Sequence, residues 1–176
     1  MALATLENRI RRLEDRAELQ DLVATYFRAT DDDDYAVLAD CFAPDATFAA
    51  SGFDGGEGGR DAVMAFLRSA RSGMGQTVHT PNYVQLEFES EDAASGMVAA
   101  HLELGMREDT VYAAVRYCDR YRRVNGCWKI AHREMRAIHV GAWREVNSSL
   151  STPLNVRWPG AEPMPSDFPR RDTNNS

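Results

Sequence analysis

Apolar residues recur at helical spacing in the N-terminal part of the chain. The steps of three and four residues predict an amphipathic helix with one buried face. Its members are Leu19, Leu22, Val23, Tyr26 and Phe27. The next position on the stripe, four residues beyond Phe27, is Asp31. Because burying an unpaired charge is costly, a carboxylate in a core position requires a partner elsewhere in the chain.

An earlier apolar stripe falls out of phase with this one. Its members are Leu6, Ile10, Leu13 and Ala17. Two interpretations are open: the helix bends near Arg16, or its first part packs against something other than the main core. We expect a neighbouring subunit to cover this face.

Two shorter helices and a glycine-rich loop follow. Asp34 is placed to cap a helix over residues 35–42, which Ala43-Pro44-Asp45 ends, and residues 46–49 predict a short strand. The loop over residues 51–59 lacks the Gly-Lys-Ser/Thr ending of a phosphate-binding loop, so we interpret it as a flexible connection or pocket rim. A third helix begins at Arg60 and ends near residue 73.

From residue 78 onward, apolar and polar positions alternate, which predicts antiparallel strands. Asn125-Gly126 is a strong signal for a two-residue hairpin. In the last strand, strict alternation places Trp128 and Ile130 on one face and Arg133 on the other. Helices followed by an antiparallel meander predict an α+β fold, with the helices covering one sheet.

The length of 176 residues predicts a single domain, to which we assign residues 1–146. The tail over residues 147–176 holds five of the seven prolines, so we expect it to be irregular and its end, residues 170–176, to be disordered. Leu154, Val156, Trp158 and Phe168 would let part of the tail cover a pocket or a neighbouring subunit.

Composition excludes several classes of partner. A net charge of -7 argues against nucleic acid, which requires a basic face. The sequence has no apolar run near the roughly 20 residues that span a bilayer, and its charged N-terminus does not resemble a signal peptide. Three cysteines, an odd number without CxxC spacing, favour free thiols and a cytoplasmic location.

Histidine spacing argues against a metal site. None of the four histidines forms an HxH or HxxxH pair or lies near a cysteine, so we predict no metal and no cofactor. His79 opens the first predicted long strand, and Pro81 follows it closely. A strand start of this kind often borders a sheet cavity, although a lone histidine is more often structural.

Several segments together resemble the nuclear transport factor 2-like superfamily, in its SnoaL-like branch. The resemblance covers residues 6–146. It rests on Tyr26-x-x-x-x-Asp31, on Leu38-Ala39-Asp40-Cys41-Phe42-Ala43-Pro44-Asp45-Ala46, on Gly59-Arg60-Asp61-Ala62, on His79 and on Tyr121-Arg122-Arg123-Val124-Asn125-Gly126-Cys127-Trp128-Lys129-Ile130. It implies a cone-shaped α+β barrel, in which a long N-terminal helix and two shorter helices pack on a curved antiparallel or mixed sheet around a deep pocket.

The resemblance also implies site residues. The sequence is similar to the dehydrochlorinases of this branch, and the resemblance implies that Asp31, His79 and Arg133 are catalytic. Tyr26 stands where those enzymes have a lysine. At this position the sequence is instead similar to the dehydratases that act on bile acids and on scytalone. Several members are trimers, which implies a homo-oligomer, a trimer or a dimer.

These implications favour a cofactor-independent lyase, acting like a dehydratase on a hydrophobic cyclic substrate such as a steroid or polyketide. The alternatives are an isomerase or cyclase using the same base, and a non-catalytic small-molecule binding module. For single residues, Asp31 can be a plain helix-end acid, Tyr26 a core aromatic and Arg133 part of a surface salt bridge. His101 and Glu103 share a strand face and can line the pocket, but structural roles are favoured there.

Overall fold

The structure of the chain is a computed structural model that describes residues 5–51, 53 and 55–168. Residues 170–176, for which we expect disorder, lie outside these ranges, as do two positions of the glycine-rich loop. Within the described ranges, no helix is both long and apolar enough to cross a membrane.

Three helices occur close to where the sequence predicts them, although the second ends at Asp40 rather than at residue 42. Helix α1 (Leu6–Asp31) is continuous over 26 residues, and helices α2 (Tyr35–Asp40) and α3 (Arg60–Arg71) are shorter. The side chain of Asp34 accepts a hydrogen bond from the backbone N–H of Val37 at 3.2 Å, so Asp34 is the N-cap of α2.

Five strands form one mixed sheet, as expected for the α+β class. They are β1 (Phe42–Ala50), β2 (Met74–Phe88), β3 (Ala93–Met106), β4 (Asp109–Val124) and β5 (Cys127–Ala142). Their order is β1-β5-β4-β3-β2, with β1 parallel to β5 and the other pairs antiparallel. The β4–β5 hairpin turns at Asn125 and Gly126, whose φ angles of 51° and 85° fit a type I′ turn.

Two predicted strand starts are wrong. Strand β1 begins at Phe42 and runs through Pro44, because the irregular register between Phe42 and Thr47 leaves room for a residue without an N–H. His79 lies inside β2, which begins at Met74. Since β2 is an edge strand, Pro81 is tolerated there, and the register shifts just after it.

The predicted orientation of Arg133 is also wrong, because β5 contains a bulge. Tyr121 pairs with Ile130 and Arg120 pairs with His132, so Ala131 is an extra residue between the two pairs. One inserted residue exchanges the faces of all that follow it. Arg133 therefore faces the same interior as Ile130 and is 0% exposed, which excludes the surface salt bridge.

The core lies between α1, the shorter helices and one face of the sheet, and it includes Leu19, Val23 and Phe27. The first part of α1 lies outside this core. Leu6 is 69% exposed and Leu13 68% exposed, so this face does not pack on the main core, and its cover by a neighbouring subunit stays a prediction.

After β5, the last strand, the chain turns back and packs against that strand. A 3₁₀ turn (Trp143–Glu145) and a short helix α4 (Val146–Ser149) lead into an irregular segment. Val156, which is fully buried, forms bridges to Val140 of β5 and to Met164. The carboxylate of Asp167 accepts a hydrogen bond from the backbone N–H of Ala137 at 2.7 Å. The segment therefore packs onto the sheet by both apolar burial and hydrogen bonds.

Candidate active site

Asp31 is the last residue of α1, and its carboxylate contacts strand β2. Oδ1 of Asp31 lies 2.6 Å from Nδ1 of His79 and accepts a hydrogen bond from the hydroxyl of Thr77 at 2.7 Å. Oδ2 accepts a hydrogen bond from the backbone N–H of His79 at 2.8 Å. The acid that the helical pattern places in a core position thus has its partner in His79.

Burial and hydrogen bonding act on Asp31 in opposite directions. Burial raises the pKa of this carboxyl, but the hydrogen bonds from the ring and backbone of His79 and from the hydroxyl of Thr77 together lower it below its ordinary value. Asp31 is therefore ionised at neutral pH and acts only as an acceptor. The hydrogen between Asp31 and Nδ1 then belongs to His79, which leaves Nε2 as the unprotonated nitrogen of the neutral ring.

His79 faces the interior of the sheet. It pairs across the strands with Leu102, which is buried, and directly opposite residues point to the same face. Phe27, one helical turn before Asp31, stacks on the imidazole with a centroid separation of 5.6 Å and an angle of 22° between the rings. The side chain of His79 is only 9% exposed and that of Asp31 22%, so the pair is largely shielded from bulk water.

Three residues outside the predicted site extend this pair. Thr77 also accepts a hydrogen bond from Arg71 at 3.0 Å, and Arg71 forms a bidentate pair with Asp33. A signal existed for Thr77, because it lies two residues before His79 and so shares its strand face. Nothing in the sequence pattern links Arg71 to Asp33, which are 38 residues apart.

Arg133 is held by a second carboxylate in the core. Its Nε and one terminal nitrogen donate to the two oxygens of Asp119 at 2.8 and 2.7 Å, and Tyr121 donates to Asp119 at 2.5 Å. Burial lowers the pKa of Arg133, but Asp119 more than offsets this and keeps the guanidinium charged. The other terminal nitrogen, Nη1, is buried without a hydrogen-bond partner among the described residues.

Tyr26 belongs with Arg133 rather than with Asp31. Five residues along a helix correspond to a rotation of roughly 140°, so Tyr26 and Asp31 leave α1 in different directions. The guanidinium carbon of Arg133 lies 4.0 Å from the Tyr26 ring centre. Burial raises the pKa of Tyr26, opposed by Arg133, so its hydroxyl remains protonated and able to donate.

The four candidate residues thus form two pairs, with aromatic rings between them. Phe27 contacts His79 on one side, and its ring centre lies 5.8 Å from the Arg133 guanidinium on the other. Tyr117 packs against Phe27 with a centroid separation of 5.4 Å. The Asp31–His79 pair and the Arg133–Tyr26 pair therefore belong to one continuous interior cluster.

The remaining histidines lie in other surroundings. His101 and Glu103 share the face of β3 opposite to buried Leu102, so they do not line the interior. Nδ1 of His132 lies 2.7 Å from the hydroxyl of Thr47, and Nδ1 of His139 lies 3.1 Å from that of Ser149. Over the described ranges, no group of three His, Cys, Asp or Glu side chains is arranged to hold a metal ion.

A surface cleft of about 800 Å³ opens near the β3–β4 turn. Its lining includes Met106, Arg144 and Trp158, and it contains neither Asp31 nor His79. This cleft is not the deep interior pocket that the family resemblance implies, and that pocket stays a prediction.

The family and its solved structures agree with this architecture. The family model of the SnoaL-like domain matches residues 11–134. No curated protein matches the chain. A type 3 hexachlorocyclohexane dehydrochlorinase from Novosphingobium barchaimii superposes with a TM-score of 0.72 at 21% identity, over 78% of this chain and 95% of the other. A type 2 hexachlorocyclohexane dehydrochlorinase gives 0.72 at 21% identity, over 86% and 99%.

A further solved structure is a proposed scytalone dehydratase from Novosphingobium aromaticivorans. It superposes with a TM-score of 0.70 at 21% identity, over 76% of this chain and 90% of the other. At these identities the three structures show the shared fold and nothing about activity. The family model covers well over half of the sequence, and the chain therefore belongs to the SnoaL-like domain family.

Proposed function

We propose that the protein is a cofactor-independent lyase that removes water from a hydrophobic cyclic substrate. The observation that carries the proposal is the 2.6 Å contact between Oδ1 of Asp31 and Nδ1 of His79 in a largely buried setting. A carboxylate that fixes one imidazole nitrogen leaves the other as a positioned base. Such a base contributes roughly 10²–10⁴-fold to a proton transfer.

The base acts through Nε2 of His79. Within the part of the chain that the structure describes, no hydrogen bond occupies this nitrogen. Stacking on Phe27 and three hydrogen bonds at Asp31 hold the ring and its acceptor in place, so little reorganisation precedes proton transfer. A base of this kind is strong enough to remove a proton from a C–H group that a neighbouring carbonyl acidifies.

Arg133 supplies the complementary electrostatic role. Its buried Nη1 has no partner among the described residues, and a buried donor left unpaired costs about 1–3 kcal/mol. An enolate oxygen of the substrate would satisfy it. Because Asp119 already neutralises the guanidinium, Nη1 acts as a directed donor at the developing oxyanion rather than as a free charge. Tyr26, protonated and beside Arg133, is a second donor for the same oxygen or for the leaving hydroxyl.

The reaction balances without any added reagent. Nε2 of His79 takes the proton from the carbon next to the carbonyl, and the electron pair of that C–H bond becomes an enolate. The enolate then forms the new C=C bond as the C–O bond to the β-hydroxyl breaks. The imidazolium returns the proton to the departing hydroxide, which leaves as water and restores the neutral ring.

The surroundings of the pair support the proposed substrate class. Phe27 and Tyr117 lie between His79 and Arg133, and such aromatic surroundings suit an apolar ring with one carbonyl. A β-hydroxy ketone on a steroid- or polyketide-like skeleton carries these features. The sequence resemblance to dehydratases that act on bile acids and on scytalone implies the same class.

An isomerase or cyclase is the second candidate. The contact between Asp31 and His79 favours it equally, because a single positioned base is enough to move a double bond and no leaving group is required. A non-catalytic binding module, the third alternative, requires no pairing of Asp31 with His79.

Deuterium exchange distinguishes the three functions. The protein is incubated in D₂O with a panel of cyclic ketones and β-hydroxy ketones, and each compound is followed by mass spectrometry. We expect loss of one water from a β-hydroxy ketone for the lyase, and rearrangement or exchange without that loss for the isomerase. Binding without either result would rule out a catalytic dyad. His79→Gln should stop exchange, and His132→Gln, which alters a histidine held by Thr47, is the matched control.

Two further properties belong to this proposal. The exposed residues Leu6 and Leu13 support a homo-oligomer, a trimer or a dimer, that covers the first part of α1. The free cysteines, of which Cys127 is exposed, support a reducing, cytoplasmic location. Sedimentation equilibrium tests the first property and fractionation of the host cells tests the second.

A further inference from the structure

A chain of polar contacts runs from the surface to the carboxylate of Asp31. Asp33 accepts two hydrogen bonds from Arg71, both at 2.9 Å. The remaining terminal nitrogen of Arg71 donates to the hydroxyl of Thr77 at 3.0 Å and to the carbonyl of Gly75 at 3.4 Å. The oxygen of Thr77 lies 2.7 Å from Oδ1 of Asp31.

The direction of each hydrogen bond in this chain is determined by its donors. A guanidinium group has donors and no acceptor, so Thr77 must accept from Arg71. A hydroxyl has only one hydrogen, and Asp31 is an ionised acceptor. Thr77 therefore donates to Asp31 and cannot donate elsewhere. Oδ1 of Asp31 then has one fixed donor, and Nδ1–H of His79 is the second.

The contacts are built into the fold rather than scattered on its surface. The side chain of Arg71 is 9% exposed, although Asp33 at the outer end is 49% exposed. Asp33 adopts a left-handed backbone conformation with φ of 54°, and Tyr35 donates to its carboxylate at 3.1 Å. The bidentate geometry fixes the plane of the guanidinium and so the direction of the nitrogen that meets Thr77.

We propose that Asp33, Arg71 and Thr77 are positioning residues that hold the Asp31 carboxylate so that His79 keeps its hydrogen on Nδ1 and its lone pair on Nε2. The catalytic meaning of this arrangement rests on the proposed function, whereas the arrangement of hydrogens does not. Without the Thr77 hydroxyl, Oδ1 loses one of its two donors, and the carboxylate is held only by the ring and the backbone N–H of His79. The preference of the imidazole for the Nδ1–H tautomer is then weaker.

The ring nitrogens of His79 report this directly, without a substrate. We would record ¹⁵N–¹H spectra of the histidine side chains at neutral pH and assign the His79 signals by their absence in His79→Gln. In the unmodified protein we expect two well-separated nitrogen shifts, with Nδ1 protonated. In Thr77→Val the two shifts should move toward each other, because both tautomers become populated. Valine favours strands at least as much as threonine does, so β2 is preserved.

Four matched variants separate positioning from general effects. Thr77→Ser keeps the hydroxyl and should restore the original spectrum, and Thr80→Val makes the same change at an exposed position of β2 and should leave it unaltered. Asp33→Asn should shift the His79 signals in the same direction as Thr77→Val. Asp32→Asn removes the same charge from the adjacent residue, which pairs with Arg28 instead, and should not.

A second signal tests the same contact from the carboxylate. The carboxyl ¹³C titration of Asp31 should show a pKa closer to its ordinary value in Thr77→Val than in the unmodified protein, because a donor to the ionised form is lost. Unchanged His79 shifts in Thr77→Val would overturn the proposal. Equal shifts in Asp32→Asn and Asp33→Asn would also overturn it, since nearby charge alone would then account for the effect.

Failure of the proposed function gives a different pattern. If His79→Gln retains deuterium exchange on every active compound, His79 is not the base, whatever its tautomer. If exchange depends on His79 but Thr77→Val exchanges as fast as Thr77→Ser, the base is correct and the positioning residues are not needed for it. The two proposals can therefore fail separately.

Discussion

The Asp31–His79 pair and the Asp119–Arg133 pair both lie in the interior, and they differ in one chemical respect. Asp31 pairs with His79, whose ring can give up its proton, and both side chains retain some exposure. Asp119 pairs with Arg133, which stays charged, and both side chains are completely buried. A pair that can exchange a proton suits catalysis, whereas a permanently charged pair suits fixed electrostatic support.

The difference predicts that the two pairs respond to mutation in opposite ways. Removing the base should affect turnover strongly and stability weakly. Removing the partner of a fully buried cation should affect stability strongly, because the remaining charge has no solvent to screen it.

The largest expected effect is on activity. His79→Gln should lower the rate of proton exchange or dehydration by roughly 10²–10⁴-fold, because a positioned base is lost. The exchange assay in D₂O measures this loss. His132→Gln should retain the original rate, and a similar loss in both variants would mean that the effect is not specific to the dyad.

A large loss of stability is expected at the second pair. Asp119→Ala should reduce the free energy of unfolding by about 3–5 kcal/mol, because it leaves the Arg133 guanidinium buried and unpaired. Urea denaturation followed by circular dichroism measures it. The double variant Asp119→Ala/Arg133→Met removes both charges and should recover much of the stability while remaining inactive. A stable Asp119→Ala single variant would contradict the fully buried setting of this pair.

A smaller effect follows from the acidity of Asp31. Its pKa is lowered in the folded protein, so its contribution to stability is present above the unfolded pKa, 3.8, and is lost as the pH falls through the folded value. The stability difference between the unmodified protein and Asp31→Asn, of order 1 kcal/mol, should therefore be constant near neutral pH and shrink below about pH 4. Denaturation at a series of pH values measures it, and a difference that grows on acidification would have the wrong sign.

The smallest effect on folding is expected at the exposed part of α1. Leu13→Glu should change the free energy of unfolding of the protomer by no more than about 0.5 kcal/mol, because the residue is 68% exposed. Sedimentation equilibrium should nevertheless show dissociation if this face joins subunits. Leu19→Glu, at a fully buried position of the same helix, is the contrasting variant and should prevent folding.

The sequence predicts the Asp31–His79 pair better than the Asp119–Arg133 pair, for a physical reason. Asp31 interrupts a regular helical stripe, and such an anomaly is visible in one segment. Arg133 reaches the core only because Ala131 is bulged, and a prediction from strict alternation cannot include an inserted residue. Its partner Asp119 lies on the neighbouring strand, where the pairing register decides the contact.

Apart from Thr77, the network around Asp31 was also beyond the reach of sequence patterns. The contact between Asp33 and Arg71 joins the turn after α1 to the end of α3, so it depends on how the helices pack. The family resemblance gave the fold class and the four candidate residues, but it did not separate Tyr26 from Asp31. Helical geometry separates the two residues, because five positions rotate a side chain by roughly 140° beyond one full turn.

A double-mutant cycle tests the central claim, that Asp31 acts through His79, most directly. Exchange rates in D₂O would be compared for the unmodified protein, Asp31→Asn, His79→Gln and the double variant. The dyad predicts that the double variant is no slower than His79→Gln alone, because Asp31 has no role once the base is gone. Losses that multiply in the double variant would show that the two residues act independently and would contradict the dyad.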